Sequence, residues 1–123
     1  MMQTYILIVD ADILVRNPIA SYLRECGYRV VEAASANEAV DYVLGQDPID
    51  LVFSDVRMPG SMDGLELAVW LIEVRPGVKI LLTSGHLDAN LAVGIVPLIP
   101  KPYRIADVIS KFRAYLGLEE DFQ

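Results

Sequence analysis

Asp10, Asp55, Ser84 and Lys101 each stand at the end of a short apolar run. Asp55 closes the run Asp50-Leu-Val-Phe-Ser-Asp55, and Val56-Arg-Met-Pro-Gly60 breaks the chain directly after it. A carboxylate at the tip of a buried strand is costly unless something uses it. In open parallel sheets, ligands and reactions sit just outside the carboxyl ends of the strands. Two carboxylates, a hydroxyl and an amine gathered at one such edge suit a phosphoryl group and a divalent cation.

The elements that would gather them alternate along the whole chain. Tyr5–Val9 is a continuous apolar run, as expected of a strand buried on both faces. Val15–Glu25 has helical spacing with Ile19, Tyr22 and Leu23 on one side, Pro18 near its start and Gly27 as its stop. Arg29–Ala33 reads as a strand near an edge. Ser35-Ala-Asn-Glu38 forms a capping box that opens a helix over Ala36–Leu44. Leu51–Ser54 is the third strand, Gly64–Val74 the third helix and Lys79–Thr83 the fourth strand. Leu87–Val93 gives a weak helical signal. Ile95–Ile99 is the fifth strand, interrupted by Pro97 and so suited to an edge. Ile105–Leu116 is the last helix, with Ile105, Val108, Ile109 and Phe112 at core spacing. Residues 118–123 read as an acidic tail on a core of about residues 3–117. Five β–α units with short, right-handed connections predict an α/β fold: a three-layer, doubly wound (βα)5 with a five-stranded parallel sheet in the flavodoxin-like order 2-1-3-4-5.

Bulk properties narrow the function classes. A chain of 123 residues is the size of one domain, expected here over residues 1–123. With 54% hydrophobic residues and a mean hydropathy of +0.39 it has the composition of a folded globular protein. No run approaches the roughly 20 apolar residues that span a bilayer, and Met1–Val9 lacks the features of a signal peptide. A cytoplasmic location without membrane association is therefore expected. A net charge of −7 argues against direct nucleic-acid binding, which needs a basic footprint. The lone Cys26 reads as a small buried hydrophobe near a helix end, and no Cys/His cluster exists for zinc.

In the expected strand order, the first strand lies beside the third, so Asp10 and Asp55 should be close. Two nearby carboxylates repel unless one is protonated or a cation lies between them. Mg2+ would resolve this, taking oxygen ligands at roughly 2.0–2.1 Å while keeping several waters. Asp10 and Asp12 would serve equally well as caps of the helix that begins near Leu14. Lys101, before Pro102, is placed to neutralise Asp55 or a phosphoryl oxygen, although a surface lysine needs no such role. Ser84 adds a hydroxyl and Gly85 leaves room for a ligand, although Ser-Gly is also ordinary turn chemistry.

Taken together, four segments carry a family likeness: Ile8-Val9-Asp10-Ala11-Asp12, the stretch Ser54-Asp55-Val-Arg-Met-Pro-Gly-Ser-Met-Asp-Gly64-Leu-Glu-Leu67, Leu82-Thr-Ser-Gly85 and Pro100-Lys-Pro-Tyr103. The chain resembles the receiver domain of two-component response regulators from residue 3 to about residue 117. Asp-x-x-Met-Pro followed by Met-Asp-Gly is highly specific for that family. The Thr-Ser-Gly variant resembles receivers attached to hybrid kinases and short stand-alone receivers.

The resemblance implies that Asp55 is a phosphoacceptor, charged by a histidine kinase, a histidine phosphotransfer protein or a small acyl phosphate. It implies that Mg2+ is held by Asp10, by Asp55 and by the backbone carbonyl of Arg57. It implies that Lys101 contacts the phosphoryl oxygens and that Ser84 follows the phosphate inward. Phosphoryl transfer is mostly positioning plus charge neutralisation, which agrees with this residue set. Such a receiver promotes its own phosphorylation and dephosphorylation but is a signalling module rather than an enzyme. With no output domain in 123 residues, its output passes through contact with a downstream protein, unless the chain is a piece of a longer one. A homodimer through the face of the fourth helix, fifth strand and fifth helix is the family's common mode, and the sequence leaves monomer and dimer open.

Three departures from the family pattern shape the expectations. Ala11 stands where a second, metal-binding acid usually follows the first, so weaker Mg2+ binding is expected, with partial rescue by Asp10 or Asp12. Leu98 stands where many members carry an aromatic switch residue, and Tyr103, beyond Lys101, does not replace it. Gly60-Ser61-Met62 makes the loop after Asp55 one residue longer than the shortest family loop. The resemblance implies that Arg57 and His86, at positions that in the family tune attack of water on the aspartyl phosphate, could do so here, with a rim role for His86 as the alternative. Helix Leu65–Val74 is apolar almost all round, with Leu65, Ala68 and Ile72 expected on the sheet; Val69 and Trp70 then either form a partner surface or pack on a neighbouring helix. Ala11 and Leu98 also leave room for a second function, a pseudo-receiver that binds proteins without phosphorylation.

Overall fold

The computed structural model describes residues 3–85 and 96–117. Five parallel strands form one sheet in the order β2-β1-β3-β4-β5: β1 (Tyr5–Val9), β2 (Arg29–Ala33), β3 (Leu51–Asp55), β4 (Lys79–Ser84) and β5 (Leu98–Pro100). The expected doubly wound α/β architecture and its strand order are therefore present. Its register sets Val9 beside Ser54, Asp55 beside Thr83 and Ser84 beside Pro100, so the strand ends finish nearly level.

Two hydrophobic layers hold the sheet, one on each face. On one, Ile6, Ile8, Leu51, Phe53, Leu81 and Ile99 pack against Ile19 and Leu23 of α1 (Ile13–Glu25) and against Val108 and Phe112 of α4 (Ile105–Leu116). On the other, Leu7, Val9, Val52, Ile80 and Leu82 pack against Ala36, Ala39 and Val43 of α2 (Ala36–Leu44) and against Leu67, Ala68 and Leu71 of α3 (Gly64–Val74). Strand alternation assigns successive residues to opposite layers. Each fully buried aliphatic side chain is worth roughly 1.5–3 kcal/mol, so the central strands anchor the strand tips firmly.

Helix starts follow the cap residues. Ser35 Oγ accepts from the Glu38 amide at 3.1 Å, while Glu38 Oε1 accepts from the Ala34 amide at 2.8 Å. A second box, not read from the sequence, opens α3: Asp63 Oδ1 accepts from the Glu66 amide and Glu66 Oε1 from the Asp63 amide.

Several expectations need correction. The first helix begins at Ile13 rather than Val15, and Tyr22 is exposed while Ala20 takes its place in the core. Cys26 is exposed at the C-cap of α1, because the chain turns at Gly27 (φ 98°) before it reaches the core. On α3, Ile72 is exposed rather than turned to the sheet; the core-facing residues are Gly64, Leu67, Ala68 and Leu71. Trp70 packs against the α2–α3 layer, and Val69 remains exposed. Strand β5 starts only at Leu98, after Pro97, whose carbonyl still accepts from the Leu82 amide. The expected helix Leu87–Val93, His86, Ile95 and the tail 118–123 lie outside the described residues.

Candidate functional site

Three of the four strand tips that the sequence singles out converge in the fold. Asp10 follows β1, Asp55 ends β3, and Lys101 follows β5 at the start of a cis Lys101–Pro102 peptide. The Lys101 ammonium donates to Asp55 Oδ2 at 3.1 Å and lies 3.6 Å from Asp10 Oδ2. Its stem passes over Gly85 on the way. Ser84 is buried at the tip of β4, level with Pro100 of β5. Arg57 lies two residues past Asp55 in the loop that leaves β3.

The two carboxylates are held near each other at an electrostatic cost. Burial pushes the Asp10 carboxyl up from its ordinary value. Its bond from the Asp12 amide (2.9 Å) and the Lys101 charge pull it down, and the negative charges of Asp55 and Asp12 push it up again. One ammonium thus serves two acidic groups, one of them almost wholly buried. The residues fit a hard divalent cation: two converging carboxylates and a nearby backbone carbonyl are oxygen donors of the kind Mg2+ uses when it keeps several waters. Asp12 is differently employed. Its Oδ1 accepts from the Leu14 amide at 2.9 Å and caps α1. Among the described residues, no three acidic, histidine or cysteine side chains converge into a cation cage.

The backbone beneath Asp55 is fixed from two sides. The Val56 amide donates to the Thr83 carbonyl, and the Gly64 amide donates to the Val56 carbonyl at 2.8 Å. A Cβ on Gly64 would come within 1.9 Å of the Asp55 carbonyl oxygen and 2.9 Å of Val56 Cα. The longer loop between them is tied to α2, where Asn37 Nδ2 donates to Ser61 Oγ at 3.0 Å.

Arg16 is a site residue that sequence reasoning missed. Its guanidinium donates to the Asp10 carbonyl at 2.6 Å and to Glu32 Oε1 at 2.8 Å, pinning the acidic turn to β2. Burial pushes the Glu32 carboxyl up, but the bonds and charges of Arg16 and Arg24 outweigh it and hold Glu32 below its ordinary 4.5. A carboxyl lowered on folding binds fewer protons folded than unfolded. Its contribution to stability is complete above 4.5 and is lost as the pH falls through the lowered value. In urea titrations below pH 4.5, Glu32→Gln is expected to flatten the acid loss of stability relative to the parent chain; an unchanged acid limb counts against this clamp.

Beside Lys101 an apolar groove of about 470 Å³ runs between α1 and the start of α4, lined by Leu14, Val15, Pro18, Gly85 and Tyr103. Leu14 is 82% exposed at its rim. No helix among the described residues is long and apolar enough to cross a membrane.

Comparison with known proteins bears on the whole chain. The family model for the response regulator receiver domain matches residues 6–113. The response regulator protein TmoT of Ectopseudomonas mendocina is 34% identical over 121 aligned positions, covering 94% of this chain and 54% of that protein. Sporulation initiation phosphotransferase F of Bacillus subtilis is 29% identical over 126 aligned positions, covering 98% of this chain and all of that one. A CheY-like receiver domain structure from Methanospirillum hungatei JF-1 superposes with a TM-score of 0.86 at 27% identity, covering 99% of this chain and 100% of that one. The chain spans about half the length or less of several of the curated relatives it matches, TmoT among them.

Proposed function

Because the chain belongs to the response regulator receiver domain family, we propose that it is a phosphoacceptor in a two-component system or phosphorelay, with Asp55 as the residue that is phosphorylated. The observation that carries this reading is the Lys101 ammonium 3.1 Å from the Asp55 carboxylate, at a strand end shared with Asp10. A lysine clamped on an acid at the carboxyl edge of a parallel sheet neutralises the nucleophile at rest and remains available to phosphoryl oxygens afterwards.

In the proposed reaction an Asp55 carboxylate oxygen attacks the phosphorus of a phosphohistidine. The new O–P bond forms as the N–P bond breaks, and the imidazole leaves with the electron pair. Lys101 shifts from the carboxylates to the phosphoryl oxygens. Ser84, buried at the tip of β4, supplies the hydroxyl that follows the phosphoryl group. Asp10, Asp55 and the Arg57 carbonyl would hold Mg2+, which supplies charge neutralisation during transfer. The donor is a histidine kinase or phosphotransfer protein, and the exposed apolar rim at Leu14 beside Lys101 favours a protein donor. The charge of −7 supports output through a protein rather than through nucleic acid.

A second reading is a phosphorylation-independent binding module of the same fold. It is favoured by Ala11 and by the use of the Asp12 carboxylate as a helix cap. Incubation with acetyl phosphate and Mg2+, read by intact mass, separates the two. The expected result is the gain of one phosphoryl group, lost with chelator and absent in Asp55→Asn. No gain even at high Mg2+ selects the binding module.

A further inference from the structure

Two hydroxyls near the acidic pair have no function so far. Thr83 Oγ1 and Tyr103 OH are buried, and neither has a hydrogen-bond partner among the described residues. A buried hydroxyl without a partner costs of order 1–3 kcal/mol, and most native proteins avoid it. Two of them in one small region call for an explanation.

Their positions are not random. Thr83 is the register partner of Asp55 across the β3–β4 pair, and register partners in a parallel pair project to the same face. Leu81, two residues earlier, packs in the same layer as Phe53, which precedes Asp55 by two. Tyr103 packs edge-on against the Phe53 ring with centroids 6.0 Å apart, and it lines the groove next to Lys101. Thr83 and Tyr103 therefore sit on the sheet face that carries Phe53 and Asp55, Thr83 level with Asp55. Burial, together with the charges of Asp10 and Asp55, pushes the Tyr103 phenol up to about 12, so it remains a proton donor throughout the physiological range.

We propose that Thr83 and Tyr103 are positioning residues, a reserve pair of donors that stay unpaired at rest and become paired when Asp55 carries a phosphoryl group. The inference rests on the phosphoacceptor reading. At rest the Lys101 ammonium engages Asp55 Oδ2 and Asp10 Oδ2, and the Asp12 amide bonds Asp10 Oδ1. When the ammonium moves to the phosphoryl oxygens, the lone pairs it held on Asp10 and on the remaining Asp55 carboxyl oxygen open to another donor, beside those that Mg2+ would take. A hydroxyl already buried beside them needs no further desolvation to donate. The cost carried at rest is then recovered in the phosphorylated state, which lengthens its lifetime.

The test uses Thr83→Val, Tyr103→Phe and the hydroxyl-retaining Thr83→Ser, compared with the parent chain for two quantities: melting temperature of the unphosphorylated protein, and decay of the phosphoryl group after acetyl phosphate is removed. Expected are an unchanged or higher melting temperature in Thr83→Val and Tyr103→Phe, because each removes an unpaired buried group. The phosphoryl half-life should shorten about tenfold in each, the worth of one hydrogen bond to a charged group, and Thr83→Ser should retain most of it. Parent-like decay in both hydroxyl-deleted variants overturns the inference. So does a lower melting temperature in either, since it shows the hydroxyl already paired at rest. A parent chain that takes up no phosphoryl group overturns the phosphoacceptor reading itself, and the inference with it.

Discussion

Alanine at position 64 is expected to destabilise the protein by about 3 kcal/mol or more, a large effect for adding one methyl group. The added Cβ would sit 1.9 Å from the Asp55 carbonyl oxygen and 2.8 Å from its carbonyl carbon. Those atoms belong to backbone at the end of the sheet, so no side-chain rotation relieves the clash. The first turn of α3 must retreat, and the Gly64 amide then loses its 2.8 Å bond to the Val56 carbonyl. The requirement is one of space: Gly64 is not among the residues with positive φ. Urea unfolding of Gly64→Ala gives the cost, and Gly77→Ala, which meets nothing within 4 Å, serves as the control. A loss under 1 kcal/mol for Gly64→Ala contradicts the close approach.

Replacing Lys101 by methionine is expected to have two linked consequences. Without Mg2+, Asp10 and Asp55 lose the ammonium that contacts both, and stability falls by about 2 kcal/mol; removal of one partner from a fully buried pair costs more, about 3–5 kcal/mol. The discount follows from the partial exposure of Lys101, whose side chain retains 27% of its surface. Asp10→Asn in the same background should recover part of the loss, because it removes the more deeply buried charge. With Mg2+ present, the variant should gain more in melting temperature than the parent chain does, since the ammonium no longer competes for the carboxylates. Equal Mg2+ shifts in the two proteins contradict the idea that Lys101 and the metal neutralise the same pair.

Much of this was legible in the sequence. Continuous apolar runs located the central strands because burial on both faces leaves no room for alternation, and polar residues at their ends placed Asp10, Asp55 and Lys101 at one edge. The last helix was readable from the spacing of Val108 and Phe112. Periodicity resolves less at the flanks of a helix, where one side faces a neighbouring element and the other faces water. Tyr22 and Ile72 were misassigned for that reason. Cys26 was misjudged because hydrophobic character alone does not say where a chain turns away from the core. Arg16 was not found because its partners, the Asp10 carbonyl and Glu32, become its neighbours only once α1 packs beside β2. Thr83 and Tyr103 carry no sequence signal as unpaired donors; only the register and the packing around Phe53 expose them.

Asp55 is the proposed acceptor of the phosphoryl group, and its chemistry can be read directly. Borohydride converts an aspartyl phosphate to homoserine and leaves free carboxylates intact, so it marks the acceptor permanently. Treatment of the chain after phosphorylation with acetyl phosphate and Mg2+, followed by peptide mass mapping, should find homoserine at position 55 and nowhere else, with none when Mg2+ is withheld. Homoserine at position 10 or 12, or at no position while Mg2+ and donor are in excess, contradicts the account.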